Sequence, residues 1–188
     1  MATAEWTVRG IVRRMLPVLI VLTAIELGSG IILDTFEGTL LRYPTLLVLV
    51  PVTIGMAGNL GSILAARLST ALHLGLLSFD AADERLAGNA VATIALAVTV
   101  FPLVGAGAWL LQTVVGRTAL PLGTVVAVAL TSGVVLAVLA VAVTTITTYA
   151  AYRFELDPDD VVIPVVTNVC DVLGVLVLFG AVRVLVGG

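Results

Sequence analysis

Asp171 is the residue of this 188-residue chain best placed to do chemistry, because it interrupts a long apolar run, VVIPVVTNVCDVLG. Thr167 stands four residues before it and Asn168 three, so a hydroxyl, an amide and a carboxylate share one helical face. Oxygen donors of this kind suit hard divalent cations. With the run beginning near Val161, Asp171 is about ten residues in, roughly 15 Å deep and near the middle of a bilayer. A charge at that depth costs about 2.5–3.5 kcal/mol even on the lenient insertion scale. The plainer alternative is a protonated aspartate hydrogen-bonded to a neighbouring helix.

A second polar interruption lies in PVTIGMAGNLGSILAARLSTALHLG, from Pro51 to Gly75. Asn59 sits among Gly55, Gly58 and Gly61, where small residues allow close helix approach or a local break that exposes carbonyl oxygens. Asn59 then reads as a supporting ligand or as an interhelical hydrogen-bonder. Arg67 pairs with an acid or snorkels to the interface. Glu26 is deep in the first apolar run, where it lines a path or stays neutral and hydrogen-bonded. Asp34 and Glu37, three apart at the end of that run, form an acidic mouth or a solvated loop face. Asp157, Asp159 and Asp160 suit the N-terminal dipole of the last helix. The lone His73 has no special role, and the lone Cys170 can form no internal disulfide.

These residues must be held by a membrane-embedded scaffold. Sixty per cent of the chain is hydrophobic and 11% charged, against about a quarter charged in soluble domains. The expected fold is all-α and polytopic, with five spans near residues 11–33, 44–72, 86–111, 122–150 and 161–186. Residues 1–188 read as one transmembrane domain with no soluble regulatory domain, and nothing resembles a cleavable signal peptide. Arg9, Arg13, Arg14, Arg85 and Arg153 fall on one side and Arg42, Arg117 and Arg183 on the other. That bias places the N-terminus in the cytoplasm and the C-terminus outside a plasma membrane. All nine basic residues are arginine, and twelve acids, concentrated in loops, exceed them. This balance fits either a GC-rich genome or a salt-adapted organism.

Five helices enclose a private pathway most readily by packing against a second copy, and two-fold symmetry is the commonest solution. A homodimer of ten helices is expected, with a heterodimer of related half-size chains as the alternative. Paired Asp171 carboxylates across the axis would repel unless a cation sat between them. Magnesium is held by one or two carboxylates while keeping several waters, which suits an ion that must also leave. From the residues alone, the chemistry stops at a divalent cation.

The run GNLGSILAARLSTALHLG resembles the glycine–asparagine motif of the MgtE magnesium channel and transporter family, closest to its eukaryotic solute-carrier relatives. DPDDVVIPVVTNVCDVLG is similar to the family's last span, and Arg14, Pro17 and the Phe36–Glu37 pair fit its start. The resemblance implies a five-helix domain that dimerises around a magnesium-conducting pore, with Asp171 as pore ligand and Asn59 in the second-span motif. Two departures stand out. Ile63 replaces the glutamine that many bacterial members have after the motif, and the large N-terminal regulatory domains are not seen, so a gate built from them is expected to be absent or supplied by another chain.

The leading expectation is therefore transport of Mg2+ or another divalent cation, with metal contacts from Asp171, Asn59, Thr167 and Asn168. Glu26 could hold the second ion of a sodium- or proton-coupled exchanger. An intramembrane enzyme lacks a nucleophile–base pair, because His73 and Cys170 are distant in sequence and belong to different spans. A non-conducting scaffold leaves the burial of Asp171 unexplained. No cofactor is expected beyond the transported ion, and the partners are lipid and a second copy rather than nucleic acid.

Overall fold

A computed structural model describes residues 7–79 and 83–187; Asp80 lies outside these, as do the side chains of Arg14 and Asp159. The described elements are all helical. They are α1 (Val8–Asp34), α2 (Glu37–Arg42), α3 (Pro44–His73), α4 (Glu84–Val114), α5 (Leu122–Arg153) and α6 (Pro158–Val182), extended by a π-helical turn over Arg183–Gly187. Five helices, all but the short α2, are long and apolar enough to cross a membrane. The spans read from the sequence are recovered to within a few residues.

Local chemistry sets the ends. Thr7 caps α1 through its hydroxyl, and Asp83 caps α4 by accepting from the Arg85 and Leu86 amides. Its acceptance from the Ser78 amide and from these two holds the Asp83 carboxyl below its ordinary range. Pro44 and Pro158 open α3 and α6, where a missing N–H leaves no bond unmade. At the end of α3, Gly75 adopts φ +66° while the Leu76 amide donates to the Ala71 carbonyl. Gly116 (φ +73°) closes α4 in the same way, with Arg117 donating to Gln112. Glycine carries such left-handed caps without a Cβ penalty.

The helical assignment of α3 runs unbroken through Pro51 and Gly55–Gly61. The local break that those residues could have permitted does not form, and two of the three glycines act in packing. Gly61 meets the side chains of Val166 and Cys170 on α6, and Gly174 on α6 meets Ile54. The pairing of 54 with 174 and 61 with 166–170 defines an antiparallel α3–α6 seam. A second seam joins α4 to α5, where Gly105 lies against Ala129 and Val126, and Gly133 against the buried Phe101 ring. Helix α5 also packs on both α3 and α6.

The ten-residue connection between α3 and α4 spans at most about 34 Å, less than the roughly 45 Å length of a 30-residue helix. Successive spans therefore reverse direction, as two polar ties at one end also require. Gln112 of α4 donates to the Pro44 carbonyl at the start of α3, and the Trp109 indole donates to Leu120 (3.4 and 3.2 Å). Phe36 stacks on Phe179 with ring centroids 4.0 Å apart, fixing the α1–α2 corner at the C-terminal end of α6. Helix α1 packs on α6 and otherwise stands outside the bundle; Leu22 is its one buried apolar side chain among the described residues.

Candidate cation site

The α3–α6 seam decides where Asp171 points. Asp171 is midway along α6, and its Oδ1 is buried with no hydrogen-bond partner. The carboxylate presses on Gly58 so closely that a Cβ there would lie 2.5 Å from Oδ1 and 3.2 Å from the Thr167 methyl. Gly58 is thus the seat of the carboxylate. A polar atom buried without a partner is costly, and native structures rarely tolerate one without a reason.

Glu26 is brought to the same region from the other end of the chain. It stands on α1, which packs on the α6 helix that carries Asp171. The geometry accounts for this, because the Phe36–Phe179 stack aligns α1 and α6 in parallel. Glu26 is eight residues before the end of α1 and Asp171 eight before Phe179, each about 12 Å down its helix. Two acids from the first and last spans therefore share one depth.

The remaining expected residues are distributed unevenly. Thr167 stays beside Asp171 on the Gly58 contact. Asn168 turns its amide back to donate to the Pro164 carbonyl at 2.9 Å, which occupies its Nδ2 within α6. Asn59 is exposed on the open face of α3, and its backbone carbonyl accepts from Ser62. Asp34 and Glu37 are both exposed and line one shallow cleft of about 430 Å³ at the end of α1. Among the described residues no three His, Cys, Asp or Glu side chains gather as a metal cluster. A cation here would have few protein ligands and would keep much of its water.

Sequence reasoning missed the distinct part played by Gly58. Gly55, Gly58 and Gly61 look equivalent along the chain, but only the packing against α6 separates them: nothing lies within 4 Å of a Cβ at Gly55. The proximity of Glu26 to Asp171 also carries no local signal, since it depends on α1 docking against α6.

A helical membrane bundle with a carboxylate oxygen buried and unpartnered at mid-span fits ion movement, and comparison with known families decides which kind. The sequence model of the MgtE family, described as a divalent cation transporter, matches residues 50–181. The chain belongs to the MgtE family. That match begins just before Pro51 and ends past Asp171, so it takes in the Gly58–Asp171 contact and most of the α3–α6 seam. As a member of a transporter family, this MgtE protein is a multi-pass membrane protein whose family function is divalent cation transport rather than catalysis.

Proposed function

We propose that this MgtE protein moves Mg2+ across the plasma membrane through a pore at a dimer interface beside the α3–α6 seam, with Asp171 as the mid-membrane ligand. The observation that carries the proposal is the buried, unpartnered Oδ1 of Asp171 seated on Gly58. Thr167 adds a nearby oxygen, and Asn59 and Asn168 contribute through water or from a second copy. Asp34 and Glu37 concentrate cations at the outer mouth, with the N-terminus in the cytoplasm. The open face of α3, where Pro51, Gly55, Asn59 and Ile63 recur at every fourth residue, is the surface for a two-fold partner. In such a homodimer two Asp171 carboxylates would flank one hydrated ion.

A coupled exchanger is the second reading, favoured by the placement of Glu26 on α1, the helix that packs on α6 beside Asp171. A proton or sodium ion held between the two acids would offset their mutual repulsion when Mg2+ leaves. Mg2+ uptake into proteoliposomes, by the wild type and by Asp171→Asn, tests the main reading. The amide keeps the shape and removes the charge, so uptake should fall by an order of magnitude or more; equal uptake would sink Asp171 as the ligand. Repeating the wild-type measurement with and without sodium and pH gradients separates a channel from an exchanger.

A further inference from the structure

A cleft lies away from the carboxylate, at the opposite end of the bundle from the Phe36–Phe179 stack. It encloses about 590 Å³ between the C-terminal half of α3 and the first turns of α4. Arg67 from α3 and Arg85 from α4 both line it, with Thr70, Asn89, Leu74 and Leu76 among the other walls. Two guanidiniums thus converge on one cleft from separate helices, and both are exposed. No carboxylate among the described residues forms an ion pair with either. Asp83, the nearest described acid in the connecting loop, is committed to the Ser78, Arg85 and Leu86 amides as the α4 cap.

The other polar groups in the cleft are already engaged. The Thr70 hydroxyl donates to the Ala66 carbonyl and the Asn89 amide to the Arg85 carbonyl, each at 2.8 Å. That leaves the guanidiniums as the donors free to meet a ligand. Planar guanidiniums recognise phosphate oxygens through paired hydrogen bonds. The remaining wall is apolar, and Leu74 and Leu76 are 66% and 45% exposed. Arg67 is six residues from the end of α3, about 9 Å along the helix, which is interfacial depth in a spanning helix. Basic pockets between spanning helices at this level suit anionic headgroups.

We infer that the Arg67–Arg85 cleft is a binding site for a phosphate-ester anion, occupied in the membrane by the headgroup of an anionic phospholipid. The phosphate lies between the two guanidiniums, and an acyl chain lies along Leu74 and Leu76. This site is separate from the transport path and does not depend on Asp171. A bound phosphate also offsets positive charge on Arg67, which shares α3 with Asn59.

The test uses purified protein in a neutral detergent, incubated with phosphatidylglycerol, with phosphatidylcholine, or with inorganic phosphate, and native mass spectrometry to count what stays bound. Wild-type protein should retain phosphatidylglycerol in preference to phosphatidylcholine. Arg67→Gln/Arg85→Gln should weaken that retention about tenfold or more, whereas Arg117→Gln, in a loop at the other end, should leave it unchanged. Retention of inorganic phosphate that is lost in the double variant, without a lipid preference, would keep the site and identify free phosphate as its ligand. Equal phosphatidylglycerol retention by wild type and double variant would overturn the site. Should the double glutamine variant misfold, Arg67→Lys/Arg85→Lys preserves charge and removes the planar fork. Its retention should also fall, and unchanged retention would overturn the paired-guanidinium geometry.

Discussion

Replacing Gly58 with alanine should separate the stability of this protein from its function. The added Cβ would lie 2.5 Å from the Asp171 Oδ1, whereas ordinary contact begins near 3.4 Å, so the oxygen must retreat by about 0.9 Å. Asp171 can do so by turning two side-chain torsions, at about 0.5–1.5 kcal/mol for leaving its rotamer. Alanine in place of glycine within a helix recovers about 0.5–1 kcal/mol. The two terms offset to within about 1 kcal/mol, and the melting temperature should hardly change. The site is far less tolerant, because metal–oxygen distances are held to about 0.2 Å. Losing even ~1.4 kcal/mol of ion binding is tenfold, so Mg2+ uptake into proteoliposomes should fall by about that much or more. Two comparisons isolate the cause. In Gly107→Ala the new Cβ meets nothing within 4 Å, and uptake should stay at the wild-type level. In Gly61→Ala it meets the Val166 and Cys170 side chains at 2.6 and 3.0 Å, both fully packed. That variant should lose about 1–3 kcal/mol of stability. Wild-type uptake by a folded Gly58→Ala protein would refute the idea that this glycine seats the carboxylate.

Three further outcomes follow from the same structure. Gly133→Ala drives a Cβ into the Phe101 ring, which is fully buried and has no room to move; thermal denaturation should show a loss of about 1–3 kcal/mol. Asp83→Ala removes the α4 cap and should lower the melting temperature at neutral pH. Because the folded-state pKa of Asp83 is depressed, that contribution is present above the ordinary value of 3.8 and is lost as pH falls through the folded value. The gap between wild type and variant should therefore close in acid, and a gap independent of pH would contradict the cap. Finally, Asn59→Cys in a Cys170→Ala background should form an oxidant-induced dimer in membranes if the open face of α3 meets its symmetry mate; monomer alone would exclude that axis.

The five spans were legible because each is a long apolar run with sharp punctuation, and length alone fixes a crossing helix. Asp171 was legible for the complementary reason, as a lone acid where acids are expensive. What the sequence hid is what depends on helix neighbours. Gly58 and Gly55 differ only in what stands opposite them. Glu26 gains its meaning from α1 lying parallel to α6, and the Phe36–Phe179 stack that fixes this joins residues far apart in sequence. The short α2 was read as part of a connection, because six residues, EGTLLR, carry too little periodicity to declare a helix. Asn168 shows the opposite case. Its spacing placed it on the face of Asp171, but its amide turned to its own backbone instead, a competition that asparagine commonly enters.

Asn59 carries the strongest argument for completion by something outside the single chain. It is fifteen residues into the thirty-residue α3, close to mid-membrane, and its side chain is exposed on the protomer. An amide left facing hydrocarbon at that depth would cost about 4–8 kcal/mol, by analogy with transfer to cyclohexane. Ile63, the next exposed residue on that stripe, is indifferent to lipid, but Asn59 is not. Water or a second protomer must therefore cover it. A water-filled path along α3 would explain the amide and would pass close to Gly58, where Asp171 is seated. A two-fold partner would explain it equally and would bring a second carboxylate to the same depth. The proposed pore at a two-fold axis would meet both explanations, because a partner there would supply the wall that turns an exposed amide into a lining one.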